Sequence, residues 1–173
     1  PALQSAHGRM TSRLASYAPD YVFSRAAFDA AGGFEPFPLA WASDDATWIK
    51  LARRAGIRAV RGPKVRWRQS GQNISANQPE LARRKLEAAL RYVGWFERYL
   101  RGHPPREGEP SRSELLRASI EWLSVHRRQL GTYFWPSSAW LAARELRRVV
   151  RFGAVGALLK TARWDWRLRR LGW

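Results

Sequence analysis

The stretch Ala40-Trp41-Ala42-Ser43-Asp44-Asp45-Ala46-Thr47-Trp48-Ile49-Lys50-Leu51 sets two adjacent carboxylates where an amphipathic helix should begin. Ser43 can accept from the unpaired N–H groups of a first turn, and Asp44 and Asp45 fall where the positive end of a helix favours negative charge. Behind them Trp48, Leu51, Ala52 and Ala55 follow the i, i+3, i+4, i+7 spacing of a buried face, and Gly56 supplies a left-handed stop. Helix capping by itself accounts for an acidic pair in this position, so any catalytic role needs a further reason.

The flanking segments frame that helix. Tyr21-Val22-Phe23 reads as a short strand, Ser24 as the cap of a helix over 25–31, and Gly32-Gly33 as its terminator. Downstream, 57–60 and 64–68 read as two short strands around Gly62-Pro63. In the second, Val65 and Trp67 alternate with Lys64, Arg66 and Arg68, which predicts one apolar and one cationic face.

These elements, taken in order, resemble the C-terminal half of a family 2 glycosyltransferase domain of the GT-A type. The resemblance rests on Phe23-Ser24-Arg25-Ala26-Ala27-Phe28 through Gly32-Gly33-Phe34 and on the acidic pair opening a Trp-containing helix that ends Arg53-Arg54-Ala55-Gly56. A Pro63-containing strand and Asn73-Ile74-Ser75 complete it, so it covers residues 17 to 77. It implies an α/β fold, a partial GT-A (Rossmann-like) domain over 1–78, followed by an α-helical extension over 79–173.

The resemblance also implies a chemistry: inverting transfer of a sugar from a nucleotide-sugar donor to an acceptor hydroxyl, in cell-envelope polysaccharide or glycolipid synthesis. The catalytic base would be Asp44 or Asp45. An ungapped register on Trp48 and Leu51 selects Asp44 and puts Ser43 where the family usually has a glutamate; a register on the acidic pair selects Asp45. We prefer Asp44, because that register keeps the buried face of the helix in phase. Trp41, in the aromatic and proline-rich loop 34–41, either packs as part of a turn or stacks on an acceptor sugar. Arg66, Arg68 and Gln69 correspond to positions that approach the diphosphate, where an arginine fork suits phosphate; the competing reading is the charged outer face of an edge strand.

The family also needs a divalent metal, Mg or Mn, held by an upstream Asp-x-Asp. The acids before position 79 are Asp20, Asp29, Glu35, Asp44 and Asp45, and they contain no such motif. The metal ligands are therefore expected outside this chain, with the nucleotide-binding half before Pro1, and the chain by itself is expected to transfer no sugar. A start without Met agrees with that expectation.

A hydrolase using two carboxylates is disfavoured. Adjacent helical residues point about 100° apart and cannot flank one glycosidic bond as a pair roughly 5–10 Å apart must. His7, His103 and His126 stand far apart without ligand spacing and read as surface residues. The absence of cysteine excludes a disulfide framework and cysteine metal sites and fits a cytoplasmic chain. The uncharged stretch 131–143, interrupted by Pro136, is too short to span a bilayer, which needs about 20 apolar residues.

The second half is helical by pattern. Asn77 and Glu80 make a capping box, and Ala82, Leu86, Ala89, Val93, Phe96 and Leu100 recur at steps of four and three, which predicts a helix of about six turns. The Pro- and Gly-rich stretch 102–110 breaks it. Ser113 then opens a second helix with Leu116, Ile120 and Leu123 on its buried face, and a third helical segment follows Trp135-Pro136-Ser137.

With 31 basic and 14 acidic side chains the chain carries a formal charge of +17, a field that attracts polyanions of any kind. Residues 155–173 pair an apolar face with Lys160, Arg163, Arg167 and Arg170 and with Trp164, Trp166 and Trp173. That segment suits either an anionic membrane surface, with the enzyme peripheral at its inner face next to a lipid-linked acceptor, or the solvated face of a bundle. The alternative function is a basic membrane-surface or nucleic-acid-binding module without catalysis. Nucleic acid is disfavoured, since no binding motif is found and the cations are scattered through helices with apolar faces.

Overall fold

The computed structural model describes residues 1–62, 65, 66, 68, 73, 74 and 78–131. Five α-helices form the described fold: α1 (Ala2–Met10), α2 (Arg25–Ala30), α3 (Ser43–Ala55), α4 (Ala82–Gly102) and α5 (Arg112–Gly131). Short 3-10 turns stand at Ala18–Asp20, Pro38–Ala40 and Pro79–Leu81.

The six residues predicted to repeat along the apolar face of α4 are all buried, Phe96 fully and the others to within a few per cent. With Tyr92 they receive α5 on one side and α3 and the Pro38–Ala40 turn on others. Fully burying an aliphatic or aromatic side chain contributes about 1.5–3 kcal/mol, so this face is the largest single source of cohesion in the described core. Leu3, Ala6 and Met10 of α1, Ala46 and Ile49 of α3 and Leu115 and Ala118 of α5 join Tyr92, Phe96 and Leu100 in one cluster. Helices from either side of residue 78 thus share a core.

The α/β expectation is overturned, because among the described residues there is no strand. Segments 21–23 and 57–60 are non-helical but have no ladder partner, and Val22 is fully exposed and Val60 nearly so. A strand needs a neighbour to take its N–H and C=O groups, and β-propensity reports packing on a pleated surface more than an intrinsic backbone preference. Of the second expected strand, residues 65, 66 and 68 are described; they are non-helical and exposed, with Val65 half out of contact. Residues 1–16, which carry no clear period, instead contribute α1.

Several helix ends also differ from expectation. Ser24 caps α2 as predicted, accepting from the Ala27 amide at 3.1 Å. Ser43 does not cap α3. It is already the first helical residue, and the capping position is taken by Ala42 in a left-handed conformation (φ +61°). For α5 the cap is Ser111 rather than Ser113: its Oγ accepts from the Glu114 amide at 3.3 Å while Glu114 Oε2 accepts from the Ser111 amide at 2.8 Å, a reciprocal box. The buried side of α5 is Leu115, Ala118, Ser119 and Leu123, and Leu116 and Ile120 are half-buried. Likewise α3 buries Ala46, Thr47, Trp48, Ile49 and Ala52, leaving Leu51 half-buried and Ala55 exposed. The Asn77 cap, Gln69, and the segments after Trp135 and over 155–173 lie outside the described residues. Among the described residues no helix is long and apolar enough to cross a membrane.

One carboxylate ties the ends of three elements together. Glu109, whose side chain is only 3% exposed, accepts from the Leu3 amide at 3.1 Å, the Arg106 amide at 3.0 Å and Arg53 Nη1 at 2.8 Å. It thereby satisfies an orphan N–H of α1, which has no side-chain cap of its own, and anchors the C-terminal turn of α3. Burial alone would raise the Glu109 pKa, but the amides of Arg106 and Leu3 and the guanidinium of Arg53 together hold it below the usual range. A carboxyl whose folded-state pKa is depressed contributes stability above its unfolded pKa and loses it as the pH falls through the folded value. Replacing Glu109 with Ala should therefore cost about 2–3 kcal/mol at neutral pH, read by urea denaturation. The gap between wild type and variant should close on acidification; a gap that widens in acid would refute this role.

Candidate functional site

Loop 34–42 and the start of α3 line an open cavity of about 830 Å³ together with Tyr17, Pro19, Asn73, Ile74 and two residues of α5, Trp122 and His126. That volume lies in the range of roughly 300–1,000 Å³ typical of small-molecule sites. Four of the sequence-derived site residues meet here: Trp41, Ser43, Asp44 and Asp45. Arg66 and Arg68 are exposed and are not among the lining residues. Their link to the site is indirect, since Asn73 Nδ2 donates to the Arg68 carbonyl at 3.0 Å.

The backbone that carries the site is unusual. Leu39, Ala40 and Ala42 all have positive φ (+59°, +53° and +61°) without being glycine, each at a cost on the order of 1 kcal/mol. The loop is held in this shape by packing: Phe37 lies edge-on to Tyr92 and Trp95 of α4, and Trp41 packs against both core clusters. The ammonium of Lys85, itself buried, sits 5.0 Å from the Trp41 ring centroid, a cation–π contact that fixes the indole.

The two adjacent carboxylates meet different fates. Asp45 pairs with the Arg9 guanidinium of α1, both side chains being largely covered (23% and 15% exposed). Arg9 in turn donates to the Tyr21 hydroxyl at 2.8 Å, and Tyr21 stacks on Trp48 at 4.6 Å, so Asp45 is one end of a chain that joins α1 to α3. Asp44 has no ion-pair partner among the described residues, and its pKa is raised, chiefly by burial, with opposition from the Arg9 charge and a backbone hydrogen bond. Glu35, the third carboxylate on the cavity, is engaged by Lys50, whose Nζ donates to it at 2.8 Å and to the Gly33 carbonyl at 2.9 Å. Ser43 is among the lining residues, with its Oγ buried and without a hydrogen-bond partner among the described residues.

The cavity does not fit a divalent cation. Two of its three carboxylates are already neutralised by Arg9 and Lys50, and among the described residues no group of three His, Asp or Glu side chains could surround a metal ion.

Two site residues escaped the sequence reading. His126, which reads as a surface residue from the sequence, is half-buried, lies tilted against Trp122 with centroids 3.9 Å apart and is edge-on to Trp41 at 5.9 Å. Trp122, one turn earlier on α5, packs against Tyr92. Only their i, i+4 spacing could have flagged them as sharing a helix face, and nothing local says which surface that face meets.

Because the Arg9 charge lowers the Asp44 pKa against burial, Arg9→Gln should raise it further, with the unneutralised Asp45 adding to the rise. Carbon-detected NMR titration of the two carboxyl groups reads this directly; an Asp44 pKa that falls in the variant would show that Arg9 does not act on it. Compared with known proteins, the chain matches no family model, no curated protein and no solved structure.

Proposed function

We propose that this chain carries the acceptor side of an inverting glycosyltransferase, with Asp44 as general base. The observation that carries the reading is the split between neighbouring carboxylates: Asp45 is committed to Arg9, while Asp44 lines an aromatic-walled cavity, free of ion pairing among the described residues and with a raised pKa. Environments that push two carboxyl groups apart are how acid–base roles are assigned in enzymes. A raised pKa makes Asp44 a stronger base than an ordinary aspartate at neutral pH. The reading rests on the site and not on the fold, whose described part is helical.

In this reaction an acceptor hydroxyl gives its proton to the Asp44 carboxylate as its oxygen forms a bond to the anomeric carbon of the donor. The bond from that carbon to the diphosphate breaks, its electrons leave with the nucleotide diphosphate, and configuration inverts. Trp41 positions the acceptor ring. No Lys or Arg is among the described lining residues, and we place the diphosphate outside this cavity. Arg68, tied through its carbonyl to Asn73, is the cation we assign to that side. The donor's metal, which the present residues do not fit, enters no step.

In the full-length enzyme, Asp44→Asn should lower turnover by about 10²–10⁴, the usual loss for a general base, with the fold and donor binding intact. Asp45→Asn should show the opposite balance. It leaves Arg9 covered and without its counter-charge, costs about 1–3 kcal/mol of stability, and keeps turnover within a few-fold. A dead Asp45→Asn enzyme beside an active Asp44→Asn enzyme would reverse the assignment, and two active variants would reduce the acidic pair to a helix-end charge.

A further inference from the structure

The charge on the cavity wall contradicts the charge of the chain. A protein of +17 lines this site with Glu35, Asp44 and Asp45 and, among the described residues, with no Lys or Arg. Glu35 and Asp45 are neutralised by Lys50 and Arg9, so among the described lining residues Asp44 is the carboxylate left without an ion pair. Among the described lining residues no cation would offset that charge for a ligand carrying phosphate or carboxylate. An uncharged ring meets aromatic side chains for its C–H face, and Asp44 and His126 for its hydroxyls.

His126 has a defined role in such a site. Its Nδ1 lies 2.9 Å from the Trp122 backbone carbonyl, which can only accept, so Nδ1 carries the hydrogen. In the neutral ring Nε2 is then an acceptor. Burial pushes the His126 pKa down, against the opposing effect of that same hydrogen bond, which keeps the ring neutral at physiological pH. The tilted contact with Trp122 and the edge contact with Trp41 fix its plane.

We infer that this cavity is a subsite for an uncharged carbohydrate ring, and that His126, delivered by α5, is a specificity-determining residue that accepts a hydrogen bond from one ring hydroxyl. This deepens the acceptor-side reading above and rests on it for the identity of the bound sugar as an acceptor. It also gives the helices after residue 78 a part in recognition, since both Trp122 and His126 come from α5.

The test is binding to the 173-residue chain, followed by the indole N–H signals of Trp41 and Trp122 in two-dimensional NMR spectra. The probes are neutral methyl hexopyranosides and the corresponding hexose 6-phosphates. At least one neutral glycoside should shift both signals saturably, and its phosphate should bind about 10-fold more weakly or not at all. His126→Phe, which keeps the aromatic stack but removes the acceptor, should weaken binding about 10-fold, and His126→Gln, whose amide oxygen can accept, should recover part of it. Equal or tighter binding of the phosphates overturns the uncharged-ring assignment, and unchanged affinity in His126→Phe overturns the role of His126. Absence of any glycoside binding at these signals overturns the subsite as a whole. Failure of the catalytic reading is a separate result: glycoside binding to the chain with undiminished turnover of full-length Asp44→Asn leaves the subsite standing without its base.

Discussion

The apolar face of α4 is the constraint on which the described fold depends. Tyr92 and Phe96 at its centre are almost wholly buried, and α1, α3, α5 and the Pro38–Ala40 turn all close around them or their neighbours. Because the interior is close-packed, this helix decides more than cohesion. Phe37 against Tyr92 and Trp95, and Trp41 against Lys85, hold the loop that precedes α3 in a shape its own backbone resists, with three non-glycine residues at positive φ. Packing against α4 is thus what maintains the cavity wall.

Electrostatics then differentiates the wall. Three carboxylates reach the cavity in a strongly cationic chain, and the fold supplies a counter-cation to two of them from distant positions, Arg9 from α1 and Lys50 from the middle of α3. The same Arg9 charge acts on Asp44 without pairing with it, and burial outweighs it. Two chemically identical neighbours in the chain therefore end in different surroundings, Asp45 paired with Arg9 and Asp44 on the cavity wall without an ion-pair partner among the described residues. Tyr92 shares this environment: its hydroxyl is raised well above the ordinary tyrosine range, first by burial, with Arg9 opposing and Asp44 reinforcing the effect.

Periodicity was legible wherever one element could bury one face without help. The predicted apolar positions of α4 are the buried ones, Ser24 caps α2, and Gly32, Gly33 and Gly56 take the positive φ that their places at helix ends suggested. The strand reading misled at residues 21–23, 57–60 and, of the segment 64–68, at the described 65, 66 and 68, because a strand is a property of two segments and the described residues supply no second one. The cap of α3 misled for a related reason. Ser43 has the right chemistry, but Ala42 takes the capping position in a left-handed conformation and Ser43 falls inside the helix, its hydroxyl buried without a partner among the described residues.

By itself, the amino-acid sequence determined the helices that carry their own pattern, the position of the acidic pair at a helix start, and the excess of positive charge. Those follow from contacts within a few residues and from composition. Tertiary structure alone decided that Arg9 neutralises Asp45 and leaves Asp44 without a partner among the described residues, that Glu109 caps α1 from a hundred residues away in the chain (|i−j| = 106), and that Trp122 and His126 complete a cavity begun at residue 17. Each of these is a long-range pairing whose partner is chosen by the packing of α1 and α5 around α4, and no local spacing encodes that choice.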